Sequence, residues 1–84
     1  MTLKFIEDYI NKKLSENDEF VKFTYYELRV KSNLSEEDIR MFLGLARNKF
    51  ENMGYKVYFI GDEYTYKGET KVVEQNEYMV VFKE

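Results

Sequence analysis

The chain has 84 residues, of which 44% are hydrophobic, 35% charged and 18% aromatic, and its net charge is −3. This length predicts one domain over residues 1–84, and the apolar content excludes a disordered chain. Cys and His are both absent, which excludes disulfides and thiolate metal sites and removes the commonest general base. We therefore expect a protein without catalytic activity and without a metal or other cofactor.

The distribution of charge and apolar residues bears on compartment and partners. Apolar runs are only a few residues long, and charges interrupt the first twenty residues, so the sequence predicts neither a membrane span nor a signal peptide. We expect a cytoplasmic protein with no membrane partner. Residues 22–56 hold seven basic and five acidic residues and form the only positive third of the chain. This is a weak indication of a polyanionic partner, against which the negative net charge of the whole chain argues, and the alternative is ordinary solvated surface charge.

The N-terminal half predicts helices. Apolar residues recur every three or four positions over residues 3–14, which is the pattern of an amphipathic helix. A short β-prone run follows at residues 20–23. The next four residues, Thr-Tyr-Tyr-Glu at 24–27, form a capping box, with a hydroxyl at the N-cap and a carboxylate three residues later. This box predicts a short helix over residues 25–31.

A second capping box predicts the longest helix of the chain. After a turn at residues 32–34, Ser35 provides the N-cap of a helix over residues 36–52, and Gly54 closes it. The first turn of this helix holds three acidic residues, which suit the positive end of the helix dipole.

The C-terminal part changes to a period of two, which is typical of strands. Residues 56–60 and 77–83 are predicted to pair antiparallel, with alternate side chains of the second strand on its two faces. Between them, Lys67 and Gly68 can turn a smaller hairpin.

Two helices joined by a short turn and followed by a hairpin form a motif that can bind DNA. The residues that carry this motif lie between Phe23 and Tyr55. They are the Thr cap, Glu and Leu three and four residues later, a Leu-Ser pair before the second helix, and a Gly-Tyr pair after it. This pattern resembles winged helix-turn-helix DNA-binding domains, of the small accessory or regulator type found in plasmids and phages. With the first helix, the resemblance covers nearly the whole chain. It implies an α+β winged helix, with three helices and a C-terminal antiparallel β-hairpin wing.

The resemblance leads to two hypotheses for function. The preferred one is non-catalytic binding of double-stranded DNA, by a transcriptional regulator or by an accessory factor in plasmid or phage replication, partition or transfer. The alternative is a winged-helix module for protein–protein interaction, such as an adaptor, an antirepressor or a phage inhibitor. The acidic start of the helix over residues 36–52 favours the alternative, because carboxylates there would repel phosphates.

The outward face of the helix over residues 36–52 supplies most candidate DNA contacts. At about 100° per residue, Arg40 and Arg47 share one stripe, from which they could reach phosphates or guanine edges, and Asn48 could read adenine. The alternative is a solvated rim in which Arg47 pairs with Glu51. The candidate residues on or beside this helix are Lys31, Arg40, Met41, Gly44, Arg47, Asn48 and Lys49.

Gly44 is unusual because a glycine in the middle of a helix costs about 1 kcal/mol relative to alanine. It indicates close approach by DNA, another helix or a second subunit. Met41 and Leu45 lie on the same side and are exposed unless the first helix covers them. These three residues predict a homodimer.

The hairpin supplies the remaining candidates. Lys67 and Lys71 lie beside Tyr66, and basic and aromatic residues on a hairpin suit contact with the DNA backbone or minor groove. The alternative is a solubilised hairpin whose tyrosine rings pack across the strands.

Overall fold

A computed structural model describes residues 1–83 of the chain. This part contains two α-helices, a short π-helix and five strands. In chain order they are α1 (Leu3–Glu16), β1 (Phe20–Thr24), the π-helix (Tyr26–Lys31), α2 (Glu36–Asn52), β2 (Lys56–Phe59), β3 (Glu63–Tyr66), β4 (Glu69–Val72) and β5 (Glu77–Phe82). The predicted α+β class with antiparallel strands is confirmed. The β content is larger than a C-terminal hairpin, because a strand from the N-terminal half joins the sheet.

The main sheet has three antiparallel strands in the order β1-β5-β2. Phe82 pairs with Phe20 of β1 on one side and with Lys56 of β2 on the other, and Met79 pairs with Phe23 and Phe59. The predicted antiparallel pairing of the strands near residues 56–60 and 77–83 is confirmed. The last strand in sequence is therefore the middle strand of the sheet.

The inner face of this sheet packs against the helices and forms the larger core. Apolar residues in strands and helices meet here because each element presents one apolar side. The buried members of this core are Ile6, Ile10, Val21, Phe23, Leu28, Ile39, Phe42, Ala46, Phe50, Tyr55, Met79 and Val81.

The outer face of the sheet is covered by the hairpin of β3 and β4. Lys67 and Gly68 turn this hairpin with φ angles of 49° and 81°, and two positive φ values are typical of two-residue hairpin turns. The second core formed by this covering, here called the outer core, contains Phe20, Tyr58, Tyr64, Tyr66, Val73, Val80 and Phe82. The hairpin does not project from the sheet as a free wing would. It folds back over the sheet because doing so buries several aromatic rings.

The capping box at the start of the π-helix has the predicted hydrogen bonds. The Glu27 backbone N–H donates to Thr24 Oγ1 (3.2 Å), and the Thr24 N–H donates to Glu27 Oε2 (2.9 Å). The helix predicted over residues 25–31 is present, but its turn is wider than that of an α-helix. The Ser32 N–H donates to the Glu27 carbonyl oxygen (3.0 Å), five residues back, which is the π-helical spacing.

A tight turn connects the π-helix to α2. Asn33 has a φ of 52°, a left-handed conformation that asparagine tolerates better than most residues. Arg29 donates from Nη1 to the Leu34 carbonyl oxygen (3.3 Å). Ser35 then caps α2 as predicted, because its Oγ accepts from the Asp38 N–H (3.1 Å).

Candidate nucleic-acid interface

The outward side of α2 carries a stripe of exposed residues, here called the arginine stripe, made of Arg40, Gly44, Arg47 and Asn48. The opposite side of the helix is anchored in the larger core by Ile39, Phe42, Ala46 and Phe50. This anchoring fixes the rotation of α2 about its axis. The arginine stripe is therefore exposed, with Gly44 and Asn48 on the side opposite the core and the two arginines on the flank of that side, as the helical spacing predicts.

Gly44 faces open space. A Cβ atom built on it would have no heavy atom within 4 Å, apart from its chain neighbours and its own helix backbone. Nothing in the described chain therefore requires a glycine at this position. The chain's own packing therefore does not explain the helical cost of this glycine.

The two arginines of the stripe differ in their surroundings. Arg47 Nε lies 3.2 Å from Glu51 Oε1, so the pairing expected in the solvated-rim alternative is present. The Arg47 guanidinium also lies 6.0 Å from the centre of the Phe59 ring in β2. Arg40 has no ion pair within residues 1–83. Arg40 is thus the more available cation, whereas Arg47 is partly neutralised and held toward the sheet.

Acidic residues occupy the first turn of α2, at Glu36, Glu37 and Asp38. They stabilise the helix through its dipole. They would also repel phosphates at the end that a helix-turn-helix protein usually presents to DNA. If this helix meets a polyanion, its acidic first turn leaves the turns that contain Arg40, Gly44 and Arg47 for the contact.

Met41 and Leu45 lie beside the arginine stripe and are 50% and 36% exposed. The alternative in which α1 covers these side chains is not what the structure shows. An exposed pair of large apolar residues one helical turn apart is a candidate contact surface for a protein.

The candidate residues of the hairpin, Lys67, Lys71 and Tyr66, all contact neighbouring side chains. Lys71 Nζ lies 3.3 Å from Glu69 Oε2, and Lys67 Nζ lies 5.4 Å from the centre of the Tyr66 ring. That ring lies 4.8 Å from Phe20 and 5.0 Å from Phe82, between ring centres. Tyr66 therefore contributes to the outer core, as the packing alternative predicts. An open cleft of about 300 Å³ lies beside these residues.

The structure does not bring all the predicted site residues together. The helices cover the inner face of the sheet and the hairpin covers its outer face, so the sheet separates Lys67 and Lys71 from the arginine stripe. Lys31 lies elsewhere again, in a cleft between α1 and the π-helix that Lys12 also lines. Lys49 is half-buried on the Leu45 side of α2.

A polar cluster that sequence reasoning missed links α1 to the π-helix. Lys13 forms an ion pair with Glu27, and the Tyr9 hydroxyl donates to Glu27 Oε1 (3.3 Å). Burial and the nearby Glu27 carboxylate raise the pKa of Tyr9 to about 12. Burial alone would raise the pKa of Glu27, but the bonds from Lys13 and Thr24 outweigh it and lower that pKa below 4.5. The capping box was the only sequence signal, and it identified Glu27 without its partners on α1.

Within residues 1–83, no three Asp or Glu side chains are grouped so that they could hold a metal ion. None of the helices in this part of the chain is both long and apolar enough to cross a bilayer.

Comparison with known proteins found no matching family model, no similar curated protein and no similar solved structure.

Proposed function

We propose that the protein binds double-stranded DNA without catalysis, through the arginine stripe of α2. The observation that carries this proposal is the stripe itself. Arg40, Arg47 and Asn48 are exposed on one side of a rigidly anchored helix, and Gly44 between them leaves the backbone open to close approach. The role that follows is transcriptional regulation, or an accessory function in plasmid or phage replication, partition or transfer.

The connectivity supports a winged helix as the framework for this function. A short helix, a four-residue turn and a longer helix precede two strands joined by a hairpin, and β1 completes the sheet from the other side of β5. This order agrees with the winged helix that the sequence pattern resembles. The hairpin is packed over the sheet, so the proposed contact with DNA uses α2 and not the hairpin tip.

The residue types of the stripe fit the chemistry of DNA. A guanidinium group binds phosphate oxygens or the O6 and N7 atoms of guanine with two parallel hydrogen bonds. An asparagine amide matches N6 and N7 of adenine in the same way. Because Glu51 competes for Arg47, we expect Arg40 to contribute more to affinity.

The experiment measures the affinity for a labelled DNA duplex at two salt concentrations. Replacement of both Arg40 and Arg47 by Ala should weaken binding and lower the salt slope by about 1.8, at about 0.9 for each lost phosphate contact. Replacement of Lys4 and Lys12 on α1 by Ala removes the same charge outside the stripe and is the control. Equal losses in the two double variants would show only a general charge effect and would reject the stripe as the DNA site.

A second candidate function is favoured by the exposed Met41 and Leu45 beside the acidic start of α2. These features fit a protein–protein interaction module better than a DNA contact. The DNA-binding experiment described above also distinguishes the two functions. If the wild-type protein fails to bind duplex DNA at low salt, the DNA proposal is rejected and the protein-binding module becomes the better account.

A further inference from the structure

We infer that the apolar side of α2 binds a second copy of this chain, with the two α2 helices antiparallel. This inference does not depend on DNA binding. It concerns a stripe distinct from the arginine stripe, made of Asp38, Met41, Leu45 and Lys49. The spacings of three and four residues place these four side chains on one side of the helix.

The ends of this stripe carry opposite charges. Asp38 precedes the apolar pair by three residues and Lys49 follows it by four, and both side chains are half-buried. Neither forms an ion pair within residues 1–83. The stripe is thus apolar in the middle, acidic at one end and basic at the other, with both charges available to a partner.

This charge pattern is complementary to itself only when the helices are antiparallel. With the two Leu45 side chains at the two-fold axis, Met41 faces Lys49 of the partner subunit. Asp38 is then three residues further along the axis, about 4.5 Å at 1.5 Å per residue, within reach of that lysine. Parallel helices would instead place like charges side by side. An antiparallel isologous pair is therefore the arrangement that the charges favour.

The two-fold axis has a consequence for the arginine stripes. In an antiparallel isologous pair the axis is perpendicular to both helices, and it brings the same flank of each helix to the same side of the dimer. Arg40 and Arg47 of both copies then form one surface. The dimer would present four arginines to a single ligand, where the monomer presents two.

The experiment measures the molecular mass of the full chain by sedimentation equilibrium over a wide range of protein concentration. The wild-type protein should form dimers at high concentration. Leu45→Glu should raise the dissociation constant at least about tenfold, because it places an unpaired carboxylate against apolar surface. Val72→Glu, at an exposed apolar position of β4, is the matched control and should leave the dimer intact. Circular dichroism verifies that both variants fold.

Charge reversal tests the antiparallel arrangement. Asp38→Lys and Lys49→Asp should each weaken the homodimer, because like charges then meet across the interface. An equimolar mixture of the two variants should restore dimers, since one subunit then carries lysine at both ends of the stripe and the other carries aspartate at both. A wild-type protein that stays monomeric at every concentration overturns the inference, as does a dimer that Leu45→Glu leaves unchanged. Homodimers unaffected by either charge reversal overturn the antiparallel arrangement.

Discussion

Lys13 of α1 and Glu27 of the π-helix form an ion pair in which the two side chains are only 19% and 22% exposed. Glu27 is also the last residue of the capping box, so one carboxylate serves two structural purposes. It accepts the N–H of Thr24 at the start of the π-helix, and it ties that helix to α1. The position of the π-helix, and of the turn that leads into α2, depends on this carboxylate.

Glu27→Gln is expected to destabilise the protein by about 1–3 kcal/mol, because it removes one partner of a partly buried ion pair. The free energy of unfolding in urea at neutral pH measures the effect. The matched control is Glu51→Gln, which breaks the exposed pair with Arg47 and should cost at most about 1 kcal/mol. Equal losses of unfolding free energy in the two variants would mean that the partly buried pair stabilises the protein no more than the exposed pair does.

The same carboxylate predicts a dependence of stability on pH. The pKa of Glu27 is lower in the folded protein than its ordinary value of 4.5. Its contribution is therefore fully present above the unfolded pKa and is lost as the pH falls through the folded pKa. Unfolding free energies measured below pH 4.5 should fall more steeply for the wild type than for Glu27→Gln. Parallel pH curves for the two proteins would contradict this assignment.

Gly44→Ala is expected to stabilise the isolated chain by about 1 kcal/mol, because the helix gains propensity and the new methyl group meets no neighbour. Gly68→Ala is the contrasting substitution. It places a side chain at a φ of 81° in the hairpin turn and should destabilise the protein by about 1 kcal/mol. Chemical denaturation measures both. If Gly44→Ala also weakens DNA binding, the missing side chain serves close approach to DNA.

The lysines of the hairpin test whether the proposed contact with DNA lies on α2 or on the hairpin. Lys67→Glu combined with Lys71→Glu should change the salt slope of DNA binding less than replacement of Arg40 and Arg47 by Ala does. We expect this because the proposed DNA contact lies on α2, and the sheet separates the hairpin from that helix. The measurement is a fluorescence anisotropy titration at several salt concentrations. A larger loss of slope in the lysine variant would make the hairpin the main DNA contact.

The outer core is expected to contribute substantially to the stability of the protein. Phe82 is 2% exposed and stacks on Tyr58 with a ring-centre distance of 5.5 Å. Phe82→Ala is therefore expected to cost about 3–5 kcal/mol. Val72→Ala, at an exposed position of the hairpin that covers this core, should change stability by less than about 0.5 kcal/mol. Thermal unfolding of the two variants checks this contrast.

Local signals in the sequence predicted most of the secondary structure. The capping residues Thr24 and Ser35 marked the starts of their helices, and the alternation in β5 identified its two faces. These features depend on interactions within a few residues, which a single sequence contains. The π-helical turn was not predictable, because a capping box marks where a helix starts and not how many residues its turns contain.

The position of the hairpin could not be predicted from the sequence. The run from Tyr78 to Phe82 is apolar on both faces, and this indicates a strand covered on both sides. It does not identify what covers the second face. Tyr64 and Tyr66 pack there through long-range contacts with Phe20, which belongs to the first strand of the chain. For the same reason, the separation of Lys67 from the arginine stripe became apparent only in three dimensions.

The central position of β5 also governs the order of folding during synthesis. Within the described chain, β1 and β2 both pair with β5 and not with each other. A nascent chain that ends before Glu77 can form its helices and the small hairpin, but its first two strands have no partner. The three-stranded sheet can therefore form only once β5 has been synthesised. Before that point the edges of β1 and β2 lack a pairing partner, and unpaired strand edges favour aggregation.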